Sequence, residues 1–223
     1  MKTIVLSLGG SIVHPGRINT RFLKEFKKLI MKSRSKFIII VGGGIICREY
    51  INAAKKLSKC RDRDCDWIGI RSTELNAELV RSMFSDVTTD TIQPDYTIKR
   101  KIPFKKVLVG CGYIPGHSSD WDAVNYAIKY NAKEIINMSN IEYVYDKDPK
   151  KFRNAKKLEK ISWKDFRKLV GNKWKAGLNM PFDPTASKLA HKKGIKVKIL
   201  KGTDIINLDR CIKGIKFKGT LIE

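Results

Sequence analysis

The stretch TIVLSLGGS at residues 3–11 is echoed in character by FIIIVGGG at residues 37–44. In both, a short apolar, β-branched run leads into a glycine cluster, and residues of helical character follow. A strand that ends in glycines lets the backbone come close to an anion. The next helix then directs unpaired N–H groups and the positive end of its dipole to the same place. Two such units predict two phosphate sites, one at Gly9, Gly10 and Ser11 and one at Gly43 and Gly44. One phosphate site suggests a binder; two point to phosphoryl transfer between two ligands.

Outward from these clusters, apolar runs and helical patterns alternate as in a doubly wound α/β protein. Phe22, Leu23, Phe26, Leu29 and Ile30 fall at helical spacing, with Asn19 or Thr20 at the helix start. Ile46, Tyr50, Ala53, Ala54 and Leu57 form a second stripe, and residues 66–84 continue in helical composition. A short strand at 106–109 runs into Gly110-Cys111-Gly112, a loop at 113–119 and a helix at about 120–130. Residues 134–138 read as a central strand ending at the polar pair Ser139-Asn140. Asp183-Pro184 opens a helix, with Asp183 as cap and Pro184 where a missing N–H costs nothing. Residues 197–200 and 217–222 read as late strands. No internal repeat and no Pro/Ser/Gly linker interrupts the chain, so residues 1–223 are expected to form one domain.

The formal charge is +24, from 46 Lys and Arg against 22 Asp and Glu. The lysines are spread along the chain without interleaved aromatics, which predicts a solvated cationic surface and no specific nucleic-acid partner. Any attraction to nucleic acid should be non-specific and salt-sensitive. No apolar run approaches the roughly 18 residues needed to cross a bilayer and no targeting segment is visible, so a cytoplasmic location without a membrane partner is expected. The five cysteines form no C-x-x-C pair; Cys60 and Cys65 are spaced as half of a zinc knuckle, but no second half follows. Reduced thiols are the expectation, with no protein-held metal.

The strings LSLGGSIV, IIIVGGGIICREYI, DWIGIRSTELNAEL, IPGHSSDWDAV, NMSNIEYVYDKDP and FDPTASKLA occur in this order. Together they resemble the amino-acid-kinase superfamily and, within it, the archaeal-type uridylate kinases, from residue 3 to about residue 222. The resemblance implies an open, mainly parallel sheet sandwiched by helices in three αβα layers. It further implies an acceptor lobe of about 1–132 for UMP, an ATP lobe of about 133–223, Mg²⁺ carried by the nucleotide, and a homo-oligomer, a hexamer. The implied reaction makes UDP and ADP from UMP and ATP, in pyrimidine nucleotide synthesis. On the ATP side it places Gly9, Gly10, Ser11, Gly44, Arg48, Ser139, Asn140, Tyr145 and Asp148. On the UMP side it places Gly43, Asp66, Tyr113, Ile114, Pro115, Gly116, His117, Ser118 and Ser119. Arg48 and Asp183 are the candidates at the transferring group.

The residues support these roles with alternatives beside them. Arg48 lies one helical turn past the second cluster, where a guanidinium reaches phosphate oxygens, or it is a surface charge. Asp66 holds a ribose or caps a helix; His117 binds substrate or faces solvent from its loop; Tyr145 contacts the nucleotide or packs in the core. Asp183 and Lys188 stand near the transferring group or serve as a cap and a solvent-facing lysine. A monophosphate acceptor is already anionic, so no strong general base is needed and His117 is assigned to binding.

Two positions depart from the family pattern. Glu142-Tyr143 replaces an Asp-Gly pair, and Ser7 stands where many relatives carry a lysine two residues before the first glycines. A second small-molecule kinase chemistry, such as isopentenyl phosphate phosphorylation, and a non-catalytic nucleotide-binding or storage protein are the alternatives.

Overall fold

Isoleucine, valine and leucine fill the central strands almost without a break because both faces of those strands are covered. In the computed structural model, which describes residues 2–171 and 180–223, these strands are β1 (Thr3–Leu8), β2 (Lys36–Val41), β3 (Val107–Gly110) and β4 (Glu134–Ser139). They are followed by β5 (Val144–Tyr145), β6 (Lys157–Leu158), β7 (Lys160–Ile161), β8 (Lys196–Lys201) and β9 (Thr220–Ile222). The helices are α1 (Gly10–Val13), α2 (Thr20–Lys32), α3 (Gly44–Leu57), α4 (Asp62–Ser82), α5 (Ser119–Tyr130), α6 (Trp163–Val170), α7 (Pro184–Lys192) and α8 (Ile205–Ile212).

Seven strands form one sheet in the order β3-β2-β1-β4-β8-β9-β7, while β5 and β6 make a separate antiparallel ribbon. All pairings in the large sheet are parallel except β8 with β9. The expected open, mainly parallel sheet between helical layers is therefore present. Strand alternation divides the core in two. Ile4, Leu6, Leu8, Phe37, Ile39 and Val41 face α2, α4 and α8, whereas Val5, Ile38 and Ile40 face α5, α6 and α7. Phe26 of α2 and Phe166 of α6 are fully buried on the two sides.

Local chemistry sets the helix starts. The Asn19 side chain accepts from Phe22 N at 3.2 Å to cap α2, and Asp183 Oδ1 accepts from Ala186 N at 2.7 Å to cap α7. The helix expected at 66–84 begins earlier, at Asp62, and runs to Ser82. The terminal strand expected at 217–222 is only Thr220–Ile222, because Asn207 of α8 engages both the N–H and the carbonyl of Lys218. Two-residue strands and the short helices α6 and α8 carry too little periodicity to read from sequence.

The stripe on α3 forms but does not enter the core. No α3 residue is buried: Tyr50 is 64% exposed near Leu75 of α4 at 62%, and Leu57, at the C-terminal end of α3, is 86% exposed.

Candidate functional site

The parallel strands β1, β2 and β4 end at one edge, where α/β sheets bind ligands. There the two glycine loops lie directly against each other. Gly42 N donates to Leu8 O and Gly9 N donates to Met138 O, each at 3.0 Å. A Cβ on Gly10 would stand closer than 3.0 Å to both Gly44 N and the Gly42 carbonyl. Gly44 adopts φ +71°, a conformation that disfavours a side chain. Asn76 of α4 holds the second loop from below, donating from Nδ2 to the carbonyls of Gly42 at 2.9 Å and Gly43 at 3.1 Å. The structure thus joins Gly9, Gly10, Ser11, Gly43 and Gly44 in one backbone seat.

Beside that seat, Asp120 in the first turn of α5 gathers three elements. Its Oδ1 accepts from Ser7 Oγ at 3.0 Å and Asn137 Nδ2 at 2.9 Å, and its Oδ2 accepts from Asp183 N at 3.2 Å. Ser7 belongs to β1, Asn137 to β4, and Asp183 to the start of α7. Desolvation, reinforced by the negative charge of Asp183, pushes the Asp120 carboxyl up to about 7. The Asp183 carboxylate shares its work: Oδ1 caps α7 and accepts from Thr185 Oγ1 at 2.6 Å, while Oδ2 is buried without a hydrogen-bond partner among the described residues. Ser7 is itself buried and committed to Asp120.

On the β2–β3 side, the Asp66 carboxylate crosses to the 113–119 loop and accepts from Gly116 N at 2.8 Å. Asp66 lies inside α4, whose N-cap is Arg61, so the capping alternative falls away. Burial raises the Asp66 carboxyl, partly offset by the Gly116 N–H. Gly116 itself has φ +88°. Gly112 N, at the foot of the loop, donates to Thr73 Oγ1 at 2.9 Å. The His117 ring stacks on Trp121 with centroids 4.3 Å apart, and burial lowers its pKa, favouring the neutral imidazole. The Tyr113 ring meets Tyr96 edge-on at 5.8 Å. Ile114 is 38% exposed, and Pro115 lies between it and Gly116. Ser118 is the N-cap of α5 with no side-chain cap bond, and Ser119 begins the helix. The hydroxyl of Ser118 is buried without a partner among the described residues. The loop carries polar groups, and Asp66 fixes its position.

The opposite side is less knitted together. Ser139 ends β4 one residue past the carbonyl that holds Gly9, and Asn140 is exposed next to it. Tyr145 is half-buried on β5, opposite Lys157, rather than in the core. Asp148 is exposed, and its Oδ1 accepts from Lys150 N at 2.9 Å, shaping its own turn. Tyr143 is accommodated with negative φ, its ring under Lys157 Nζ at 4.8 Å. Arg48 is exposed on the second turn of α3 and makes no ion pair among the described residues; Lys188 faces solvent on α7.

Asp120, Asn76, Thr73 and Asn137 escape sequence reading as site residues. The one available signal is the pair Asp120 and Asp122 in the first turn of α5, which also reads as ordinary complement to a helix dipole. Asp122 is 1% exposed, with burial holding its carboxyl well above the usual range.

The model of the amino acid kinase family matches residues 2–201. The chain is 33% identical over 224 residues to a uridylate kinase of Pyrococcus abyssi, covering 99% of both chains. It is 32% identical over 228 residues to a uridylate kinase of Methanocaldococcus jannaschii, again covering 99% of both. The crystal structure of a uridylate kinase from Archaeoglobus fulgidus superposes with a TM-score of 0.84 at 32% identity, covering 100% of each chain.

The raised Asp120 carboxyl has a defined consequence for stability. The folded chain keeps a proton that the unfolded chain, with a carboxyl near 4, releases earlier. This contribution favours folding least above pH 7 and is recovered as pH falls from about 7 toward 4. Unfolding titrations should therefore show wild type losing stability relative to Asp120→Asn as pH rises through this window. Parallel pH profiles for the two proteins would contradict it.

Proposed function

The chain belongs to the amino acid kinase family, and from that premise we propose that it transfers the γ-phosphoryl group of ATP to UMP, producing ADP and UDP. The observation that carries this reading is the backbone contact between the two glycine loops at the ends of β1 and β2. It gives donor and acceptor phosphates adjoining places, which is the main requirement of phosphoryl transfer. The full-length likeness to uridylate kinases supplies the acceptor.

In this reading residues of about 133–223 form the ATP lobe, with Ser139, Asn140, Tyr145 and Asp148 along the nucleoside and Gly9, Gly10 and Ser11 at its phosphates. Residues of about 1–132 hold UMP: Asp66 takes the ribose, Tyr113 to Ser119 enclose the nucleotide, and Gly43 faces its phosphate. Gly44 and Arg48 lie between the two, where N–H dipoles and a guanidinium stabilise charge on the transferring oxygens. The attacking UMP oxygen is already anionic, so neutral His117 binds and does not abstract a proton.

The residues present fit a nucleotide-carried Mg²⁺. Among the described residues no cluster of three or more His, Cys, Asp or Glu side chains forms a cage, and the unpartnered Oδ2 of Asp183 offers a single oxygen. That oxygen would meet the ion, which supplies charge neutralisation at the donor phosphates when bound. We place the reaction in cytoplasmic pyrimidine nucleotide synthesis, by the likeness to uridylate kinases.

With ATP and Mg²⁺, a coupled assay should show turnover on UMP well above that on CMP, AMP or isopentenyl phosphate. Turnover confined to a non-nucleotide acceptor, or ATP binding without transfer to any of them, would overturn the proposal.

We also propose that the chain works as a homo-oligomer, a hexamer, and that the uncovered α3–α4 face is one of its contacts. Tyr50, Trp67 and Leu75 are exposed apolar side chains that lie together there, and Leu57 is exposed further along α3, more apolar surface than single scattered residues give. Light scattering should give a multimer for wild type and a smaller species for the double variant Tyr50→Glu, Leu57→Glu. An unchanged mass in the double variant would remove this face from the assembly.

A further inference from the structure

Helix α4 begins with a contact that its bare spacing leaves ambiguous. Arg61 is the N-cap, so Cys60 occupies the position before the cap and Cys65 the fourth helical position. Side chains at these two places commonly pack on each other and fix the angle at which the chain enters a helix. Here both are thiols, and their Sγ atoms lie 3.2 Å apart. Cys65 is fully buried and Cys60 partly so. Two thiolates sharing one tetrahedral zinc stand about 3.8 Å apart, and no third ligand completes a cluster among the described residues. At 3.2 Å the two sulfurs are in direct contact, closer than a shared zinc would hold them, and a bond needs them drawn in to about 2.05 Å.

We propose that Cys60 and Cys65 are a modification site, a dithiol that a low-molecular-weight disulfide converts to an internal disulfide fastening the first turn of α4. The thiolate of partly exposed Cys60 attacks one sulfur of the small disulfide and expels one small thiolate. The Cys65 sulfur, after losing its proton, then attacks Cys60 Sγ of the mixed disulfide and expels the second. One internal S–S bond replaces the external one. The two protein thiols are oxidised, and their protons end on two molecules of small thiol. Burial and the adjoining Cys60 sulfur push the Cys65 thiol up to about 11, which makes it the second and slower nucleophile.

The other cysteines are poor competitors. Burial holds the thiols of Cys111 and Cys211 at about 12, and Cys47 is also raised by burial. No other sulfur pair is in contact among the described residues. The residue after Cys65 is Asp66, whose carboxylate holds the 113–119 loop through Gly116 N. The bond therefore forms next to the tie between α4 and that loop, whichever ligand the loop takes.

Oxidised glutathione added to the full-length chain tests this directly. Free thiols should fall from five to three, with a mass loss of two hydrogens, and a tryptic digest should join the Cys60-Arg61 dipeptide to peptide 64–71. The thermal midpoint should rise by about 2–5 °C in wild type and not in Cys60→Ser, which keeps Cys65 reduced. Retention of all five thiols, a persistent glutathione adduct, linkage through Cys47, Cys111 or Cys211, or an unchanged midpoint after bond formation would overturn the proposal.

Discussion

The contact between Gly10 and the Gly42–Gly44 turn is the constraint around which the rest of the site is arranged. A Cβ at Gly10 has no room against either Gly44 N or the Gly42 carbonyl, so two strand-to-helix turns share the space ordinarily held by one. Their approach follows from the sheet order: β1 sits between β2 and β4, and hydrogen bonds from Gly42 N and Gly9 N tie the turns to both neighbours. Asn76 then fixes the second turn from α4. The two glycine turns are thereby brought together by backbone contacts and by Asn76.

Asp120 performs the matching task for the side chains. It connects β1, β4 and the start of α7 through Ser7, Asn137 and Asp183. Desolvation and Asp183 raise this carboxyl, and the Ser7 hydroxyl is one of its partners. Arg48 is exposed on α3 and makes no ion pair among the described residues; in the proposed reaction it supplies charge at the transferring group.

Much of this was legible in the sequence because the deciding signals are local. Glycines after β-branched runs, the Asn19 and Asp183 caps, and the apolar spacing of α2 are written in neighbouring residues, and the structure carries each of them. What escaped depends on partners far apart in the chain. Asp120 meets Ser7 across 113 positions, and Asn76 meets Gly42 across 34, so no spacing rule links them. Asp66 looked equally suited to capping until its bond to Gly116, 50 residues away, showed otherwise. The α3 stripe is apolar in sequence yet unburied in the structure, because periodicity marks an apolar face without saying whether anything covers it.

The central claim is that the backbone contact of the two glycine turns positions the phosphates for transfer. Steady-state kinetics of Gly10→Ala test it most directly, with Gly69→Ala as reference because a methyl there meets only Cys47 Sγ at an ordinary 3.6 Å. With circular dichroism showing both variants folded, Gly10→Ala should lose about 10²-fold or more in kcat/KM, while Gly69→Ala stays near wild type. Wild-type turnover in folded Gly10→Ala would contradict the account.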